Sequence, residues 1–298
     1  MRVTFNSQYR DAAAGIEIAS ERMAEFQRQV STGLRVEKPS DDPSAASALV
    51  TERTQLARVE QYSQAANSVS SRLTVVDTVL SDIIQKLSAA QSATLGAMGS
   101  LKSDADREAA AQTVLGIRAA LLEDMNTSFH GTYVFAGGAA TTKPYAAGGG
   151  GAIDPYAGST TEVAIDIGEN RDVTVGFDGS AITLGSDATD LFAEIDALVI
   201  AIRAGANDDM TTGSAALRRA MDRATTAQMR VGVGMQAVAS EQSRLEAVKI
   251  ATTTRVSSLE DANMAEAISG MSQADAAYRA ALGAVGTASR VSLMDYLG

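Results

Sequence analysis

The sequence contains no cysteine and no tryptophan, and it has one histidine and four prolines in 298 residues. Without cysteine the chain can form neither a disulfide nor a thiolate metal site. With a single histidine, a metal would need oxygen ligands, and the acidic cluster Asn207–Asp209 lacks the spacing and the terminal glutamate of a calcium loop. We therefore expect no metal and no cofactor, and we expect packing alone to stabilise the fold.

Long apolar runs and clusters of positive charge are also missing. The longest apolar run, Ala197–Ile202, is far shorter than the roughly 20 residues that cross a membrane. The start, MRVTFNSQYRD, lacks the apolar core of a secretory signal peptide, so export would use a route without a cleaved signal. The formal charge is −11, and the basic residues are scattered, which argues against nucleic acid and anionic membranes as partners.

Residues with catalytic potential are isolated from one another. His130 precedes Gly131 at a predicted helix end, without the surroundings of a nucleophile elbow. The run Gly148–Gly151 is not followed by the Lys-Ser or Lys-Thr pair of a phosphate loop. The acids Asp41 and Asp42 are better explained as turn and capping residues. We therefore expect no catalytic residues and no enzymatic activity.

Apolar residues near both ends of the chain are spaced alternately three and four residues apart, which predicts helices with one narrow seam each. The N-terminal seam comprises Tyr9, Ala12, Ile16, Ala19, Met23, Phe26 and Val30. The C-terminal seam comprises Met264, Ala267, Met271, Ala274, Tyr278, Ala281, Val285 and Ala288. Because alanine and methionine dominate these seams, we expect the two helices to need neighbouring subunits for stability.

The segment after the first helix predicts a loop and a helix start. Gly33 is a helix stop, and the two prolines of Lys38–Pro43 exclude a continuous helix. Asp42 occupies an N-cap position, followed by Pro43 at the first helical position. The seam of the second helix comprises Val59, Tyr62, Ala66, Val69, Leu73, Val76, Leu80, Ile83, Leu87 and Ala90, and we expect it to end near Gly96 or Gly99.

The rest of the chain predicts further helices around a β insert. Ser103 and Asp106 resemble a capping box for a third helix that should end near Phe129. Alternating apolar residues on either side of 168–170 predict a β-hairpin. Helical spacing resumes at Leu191, and we expect it to break over 205–213 before a long helix follows.

These elements predict a mainly α fold: an elongated antiparallel helical hairpin or bundle, with paired N- and C-terminal coiled-coil helices and a small inserted β domain. We expect residues 1–42 with 260–298 to form a terminal coiled-coil inner domain. Residues 43–136 with 187–259 should form a helical rod domain, and 137–186 the β insert as an outer domain. Glycine-rich borders suggest that the insert is decoupled from the helices and removable without loss of assembly.

Three stretches are similar to the hook–filament junction proteins of the bacterial flagellum, the hook-associated protein 3 family, and to the related flagellins. The first is Arg28–Pro43, where flagellins usually lack the full Pro-Ser-Asp-Asp-Pro. The second is Asn126 followed by Gly131–Gly137, and the third is the tail Ser292–Leu297, where flagellins tend to end in Leu-Leu-Arg. The residues that carry the loop and tail motifs are Gly33, Pro39, Ser40, Asp41, Asp42, Pro43, Leu293, Asp295, Tyr296 and Leu297.

The resemblance implies a structural subunit that the flagellar type III apparatus exports and that joins hook to filament outside the cell. Its implied partners are further copies of itself in a ring at the hook tip, another hook-associated protein, flagellin and an export chaperone. The seam residues taken as the assembly surface are Tyr9, Ile16, Met23, Phe26, Val30, Met264, Met271, Ala274, Tyr278 and Val285. Two alternatives stay open: a flagellin, and a stalked adhesin or glycan-binding module using Tyr145 and Tyr156.

Overall fold

A computed structural model describes the backbone of residues 5–99 and 102–297, and the side chains of 10–11, 13–99, 102–149 and 151–286. Within those ranges seven α-helices and two small antiparallel sheets confirm a mainly α fold with a β insert. The elements are α1 (Phe5–Thr32), α2 (Pro43–Ala97), α3 (Asp104–Met125), β1 (Ser128–Phe129), β2 (Thr132–Tyr133), β3 (Val163–Gly168), β4 (Arg171–Gly176), α4 (Ser180–Thr183), α5 (Leu191–Ala204), α6 (Asn207–Glu260) and α7 (Met264–Leu297), with a 3₁₀ turn at Gly149–Gly151.

The chain divides into two compact units. The terminal unit contains the described residues up to Val59 and from Val248 onward, and the central unit contains Glu60–Ala247. In the terminal unit α1 packs against α7, as the matching seams predict. The three-domain division predicted from the sequence stays a prediction.

The core of the central unit follows the predicted seam of α2. Every third or fourth residue of that helix is buried, because 3.6 residues per turn bring these positions onto one face. The buried seam residues are Ala66, Val69, Leu73, Val76, Leu80, Ile83, Leu87 and Ala90. They join one continuous core with α3, α5 and α6. The predicted capping box also forms, since Ser103 and Asp106 each accept a hydrogen bond from the other's backbone N–H.

Two element boundaries differ from the prediction. The third helix ends at Met125 rather than Phe129, because the chain turns into the β1–β2 hairpin, whose turn residues His130 and Gly131 both have positive φ. The prediction of a helix break over 205–213 is correct only at its start, and residues 207–213 are helical. Gly205 ends α5 with a left-handed φ of 69°, and α6 begins at Asn207.

The glycine at 213 that suggested a turn lies inside α6. A Cβ at Gly213 would come within 2.8 Å of the Leu198 side chain, so glycine is needed there for close packing of α5 on α6 rather than for a turn.

The β insert is part of the same core as the helices. Six buried side chains of the insert belong to the core cluster that contains the α2 seam: Tyr145, Ile167, Val173, Val175, Phe177 and Ile182. The expectation that glycine-rich borders decouple the insert from the helices is therefore wrong. The glycines give the backbone conformational freedom at the borders of the insert, but the side chains between those borders still pack against the helices.

Two charged side chains, Arg72 on α2 and Glu241 on α6, bind the hairpins to these helices. Arg72 on α2 donates to the Val175 carbonyl at 2.7 Å and to the Thr132 hydroxyl at 2.8 Å. Glu241 on α6 is fully buried and pairs with Arg244 at 2.5 Å and with Arg171 at 3.4 Å. Gly168, before the β3–β4 turn, lies so close to the Glu241 carboxylate that a Cβ there would overlap it. The β3–β4 turn therefore packs against α6.

Candidate assembly surface

The loop between α1 and α2 begins where Gly33 ends α1. Gly33 has a φ of 75°, and its N–H donates to the Gln29 carbonyl at 2.8 Å, as in a helix C-terminus with a left-handed residue. The chain then runs antiparallel to the segment between α6 and α7. The N–H of Arg35 donates to the Glu260 carbonyl at 2.7 Å, and the N–H of Ala262 donates to the Gly33 carbonyl at 2.8 Å.

Both loop aspartates accept backbone hydrogen bonds. Asp41 accepts from the N–H groups of Lys38 at 2.9 Å and Glu37 at 3.2 Å. The two bonds lower the pKa of Asp41, with the Lys38 bond the larger cause. Asp42 accepts from the N–H groups of Ala45 at 3.0 Å and Ser44 at 3.1 Å, which is the N-cap geometry predicted for a residue followed by Pro43.

Arg35 joins the loop between α1 and α2 to the C-terminal end of α6. Its guanidinium pairs with Asp42 at 3.2 Å and donates to the Leu259 carbonyl at 2.8 Å. After the bond from the Ala45 N–H, the Arg35 pair is the next cause that lowers the pKa of Asp42. A small apolar cluster of Val36, Ala45 and Leu49 lies beside these bonds.

The predicted seam residues of α1 and α7 differ in how deeply they are buried. Ala274 is buried with 7% exposure, whereas Met264 is 42% exposed. Ala19 and Ala267 are also buried. The other described members are half-buried: Ile16, Met23, Phe26, Val30, Met271, Tyr278, Ala281 and Val285. The side chains of Tyr9, Leu293, Asp295, Tyr296 and Leu297 lie outside the described residues.

The helices α1 and α7 approach each other closely at Gly270. A Cβ on Gly270 would lie 2.5 Å from the ring of Phe26, so the ring fits only against a glycine. Beside this contact is a groove of about 570 Å³ between the two helices, whose lining includes Ile18 and Ala277. Ile18 is 52% exposed, so one wall of the groove is an uncovered apolar side chain.

Residues 3–140 match the family described as the bacterial flagellin N-terminal helical region. Over 233 residues the chain is 30% identical to flagellar hook-associated protein 3 of Escherichia coli (strain K12), a match that covers 73% of this chain and 72% of that protein. The chain belongs to the flagellar hook-associated protein 3 family. It is a structural protein of the bacterial flagellum, in agreement with the resemblance of its loop and tail.

Further comparisons agree with this family. The chain is 31% identical over 183 residues to flagellar hook-associated protein 3 of Salmonella typhimurium, covering 61% of this chain and 56% of that protein. Its fold is similar to that of Xanthomonas campestris FlgL, with a TM-score of 0.62 at 16% identity over 69% of this chain and 99% of that one. It is also similar to the flagellar junction protein FlgL from Legionella pneumophila, with a TM-score of 0.61 at 11% identity over 72% and 100%.

Within this family member, the predicted loop residues divide into two groups. Gly33, Asp41, Asp42 and Pro43 end one helix, shape the turn and start the next, as the sequence predicts. Pro39 and Ser40 are exposed. Sequence patterns do not identify Arg35, because its partner Leu259 lies 224 positions away along the chain.

The other residues that could have carried chemistry or ligand binding have structural roles. Tyr145 is buried, its hydroxyl bonds to that of Thr183 at 2.5 Å, and burial raises its pKa. The hydroxyl of Tyr156 donates to the Phe135 carbonyl at 2.9 Å, and burial raises its pKa to about 12. Neither ring is an open platform for a sugar. In the described part of the chain no acidic or histidine cluster could hold a metal, and no helix is long and apolar enough to cross a membrane.

Replacing Asp42 by alanine is expected to lower the thermal midpoint of the terminal unit, because two backbone N–H groups at the start of α2 lose their acceptor. Since the folded-state pKa of Asp42 is lowered from 3.8, its contribution is full above the unfolded-state pKa. It is lost as pH falls below about 4 through the folded value. Thermal unfolding of both proteins between pH 2.5 and 7 checks this. Equal midpoints at pH 7, or a difference that persists at pH 2.5, would contradict it, and Ser40→Ala is the matched control.

Proposed function

We propose that this protein is the adaptor that joins the flagellar hook to the filament. In this proposal, copies of the chain form a ring at the hook tip, between another hook-associated protein on one side and flagellin on the other. The observation that carries it is the terminal helix pair, whose contact covers one stripe of each helix and leaves apolar side chains such as Ile18, Ile268 and Leu282 about half exposed. Apolar faces of this kind mark surfaces that other chains cover.

The terminal unit has little internal core to stabilise it alone. Its small cluster contains three buried residues, Val36, Ala45 and Leu49, and alanine and methionine make up most of the α1 and α7 seams. We infer that neighbouring subunits provide the missing burial once the protein is assembled, and that the seam residues, from Tyr9 to Val30 and from Met264 to Val285, form this assembly surface.

The finer parts of the proposal follow from family membership. We infer export through the flagellar type III apparatus without a cleaved signal, an extracellular location, a chaperone that covers the C-terminal seam before export, and no enzymatic activity. The tail residues Leu293–Leu297 are included in the assembly surface because the tail resembles that of junction proteins. The three sequence-derived domains are proposed as the inner, rod and outer layers of the subunit.

Deleting the gene tests the adaptor role. The mutant is expected to build hooks without filaments and to release flagellin into the medium, and immunogold labelling of wild-type flagella should place this protein at hook ends. If the protein were instead a flagellin, label would cover the whole filament, and the pure protein would polymerise without limit. Normal filaments in the deletion strain would exclude both roles.

A negative charge on the seam is expected to block assembly without unfolding the central unit. Met271→Asp or Tyr278→Asp places a carboxylate on the half-buried α7 stripe, so incorporation at the hook tip should be lost. In the same proposal the isolated chain should be trimmed by protease at both ends, leaving a core of roughly 40–260. Immunogold labelling and limited proteolysis are the measurements. Glu266→Asp, on an exposed position of α7, is the control.

The seam proposal fails under two outcomes. Normal filament growth with Met271→Asp would show that the stripe does not bind neighbouring subunits. A trimmed core that melts at a lower temperature with either substitution would show that the stripe supports the fold rather than assembly.

A further inference from the structure

Two glycines weaken α6 near its middle. After proline, glycine is the least favourable residue in a helix interior, and α6 has one at Gly232 and another at Gly234. A Cβ on Gly232 would meet nothing within 4 Å, so packing does not require a glycine there. A Cβ on Gly234 would lie 3.3 Å from the Val173 side chain and 3.4 Å from that of Leu73. The helix is therefore less stable at this point than its packing demands.

A stretch of α2 is also built from poor helix formers. Residues 69–79 comprise eleven positions, of which nine are valine, serine, threonine or aspartate, and these types rank low in helix propensity. The hydroxyls of Ser71, Thr74 and Thr78 donate to the backbone carbonyls four residues earlier. Hydrogen bonds of this kind slightly destabilise helices and often bend them, so this stretch of α2 is weak as well.

The two weak stretches lie side by side in the central unit. Asn67 on α2 accepts a hydrogen bond from Gln242 on α6 at 2.8 Å, and Asp77 accepts from Gln228 at 3.2 Å. The Leu73 side chain, between these two bonds, lies against Gly234. Because the stretches coincide, neither helix braces the other there. We refer to residues 69–79 of α2 with 228–238 of α6 as the weak joint.

Unfilled space adjoins the weak joint. A groove of about 360 Å³ lies between α6 and the β3–β4 hairpin, and its lining includes Leu73, Val173, Gly234 and Ala237. Protein interiors are normally close-packed, with few voids larger than a water molecule. The groove therefore gives the side chains of the joint room to shift.

The β3–β4 hairpin spans the weak part of α6 and is anchored on both sides of it. Glu162, directly before β3, pairs with Arg230 at 3.1 Å. At the other end of the hairpin, Arg171 pairs with the fully buried Glu241 at 3.4 Å, and Gly168 packs against the same carboxylate. The two anchor positions on α6 are about 16 Å apart along the helix. Both α6 glycines lie between them.

We propose that the β3–β4 hairpin is a splint that stiffens α2 and α6 across the weak joint, and that the joint bends when the Glu162–Arg230 anchor opens. This anchor is the one that opens, because its side chains are 35% and 63% exposed and exposed ion pairs are weak. The Glu241 anchor is buried and stays closed. The central unit can thus bend at the joint while the hairpin turn stays attached to α6.

Charge reversal at the exposed anchor tests the splint. Glu162→Arg places two guanidinium groups together, so the amides of 228–238 should exchange hydrogen about fivefold faster in the purified full chain. The melting temperature should change little. Arg230→Glu should have the same effect, and the two substitutions together should restore slow exchange, because they rebuild the pair with its charges swapped. Glu108→Arg is the matched control, since it breaks another exposed pair, with Arg203, away from the joint.

Gly232→Ala tests the weakness of the joint itself. Alanine should slow exchange over 228–238 about fivefold, because it removes the helix cost of glycine without a clash, and it should offset most of the effect of Glu162→Arg. Gly116→Ala is the matched control on α3, where a Cβ also meets nothing within 4 Å. That variant should leave exchange over 228–238 unchanged.

Pulsed electron spin resonance measures the bending. Because the chain has no cysteine, Ala215→Cys with Ala247→Cys places two spin labels at exposed positions of α6, about 48 Å apart along the helix. The distance distribution should be narrow, and Glu162→Arg should broaden it towards shorter distances. Unchanged exchange and distances in Glu162→Arg, or faster exchange confined to 163–176, would overturn the inference. All these measurements use the isolated chain, so their outcome does not depend on the adaptor role.

Discussion

Deleting residues 140–185 is expected to unfold the central unit. The deletion removes six side chains from the core that also contains the α2 seam: Tyr145, Ile167, Val173, Val175, Phe177 and Ile182. Truncating one large buried side chain typically costs about 2–5 kcal/mol, and a whole domain is stabilised by only about 5–15 kcal/mol. Losing six such side chains at once exceeds that margin. The buried Glu241 would also lose Arg171 as a partner.

Circular dichroism of the purified deletion protein measures this effect, with a loss of the cooperative thermal transition as the expected result. A short Gly-Ser insertion after Gly149 is the matched control, because this residue is exposed on the same insert and loop tips tolerate insertions. A deletion protein that melts cooperatively within a few degrees of the full chain would contradict the shared core and restore the view of the insert as a separable appendage.

Replacing Gly270 by valine is expected to separate α1 from α7 and to prevent incorporation at the hook tip. The Cβ alone would lie 2.5 Å from the Phe26 ring, so the ring or the helix must move. Overpacking of this kind costs about 2 kcal/mol, which corresponds to a roughly thirtyfold weaker pairing of the two helices. The central unit should keep its melting temperature, because neither residue belongs to it.

Gly283→Val is the matched control on the same helix, since a Cβ there meets nothing within 4 Å. Both variants carry the same β-branched side chain, so any difference between them comes from packing rather than from helix propensity. Adding Phe26→Ala to Gly270→Val should restore part of the incorporation by making room for the valine. Equal incorporation of the two single variants, measured by immunogold labelling, would show that the Phe26 contact does not set the pairing.

Local signals in the sequence predicted much of this fold. Asp42 before Pro43 predicted the start of α2, and Ser103 with Asp106 predicted that of α3, because a cap depends on residues within one helical turn. The α2 seam was predictable for the same reason, since a helix with one buried face repeats its apolar residues at fixed spacing.

Contacts between distant segments were not predictable in this way. Gly213 has the composition of a turn, but its role depends on the Leu198 side chain from another helix. Glu241 resembles an ordinary surface residue of α6, and only the hairpin turn at Gly168–Arg171 buries it. For the candidate site, the loop residues were identified by motif. Arg35 and Gly270 depend on partners that the spacing of residues along the chain does not reveal.

The bonds between the N-terminal and C-terminal parts of the terminal unit also constrain the order in which the chain can fold. Arg35 bonds to a residue 224 positions away, and Arg53 pairs with Glu260 across 207 positions. Closing a loop of that length in a flexible chain costs about 5 kcal/mol of entropy. The central unit is one continuous stretch, Glu60–Ala247, so its folding brings the two flanks together. The N-terminal and C-terminal parts of the terminal unit can therefore pair only after the central unit has folded. Because their contacts join residues far apart in the sequence, closure of the terminal unit is the last and slowest folding step.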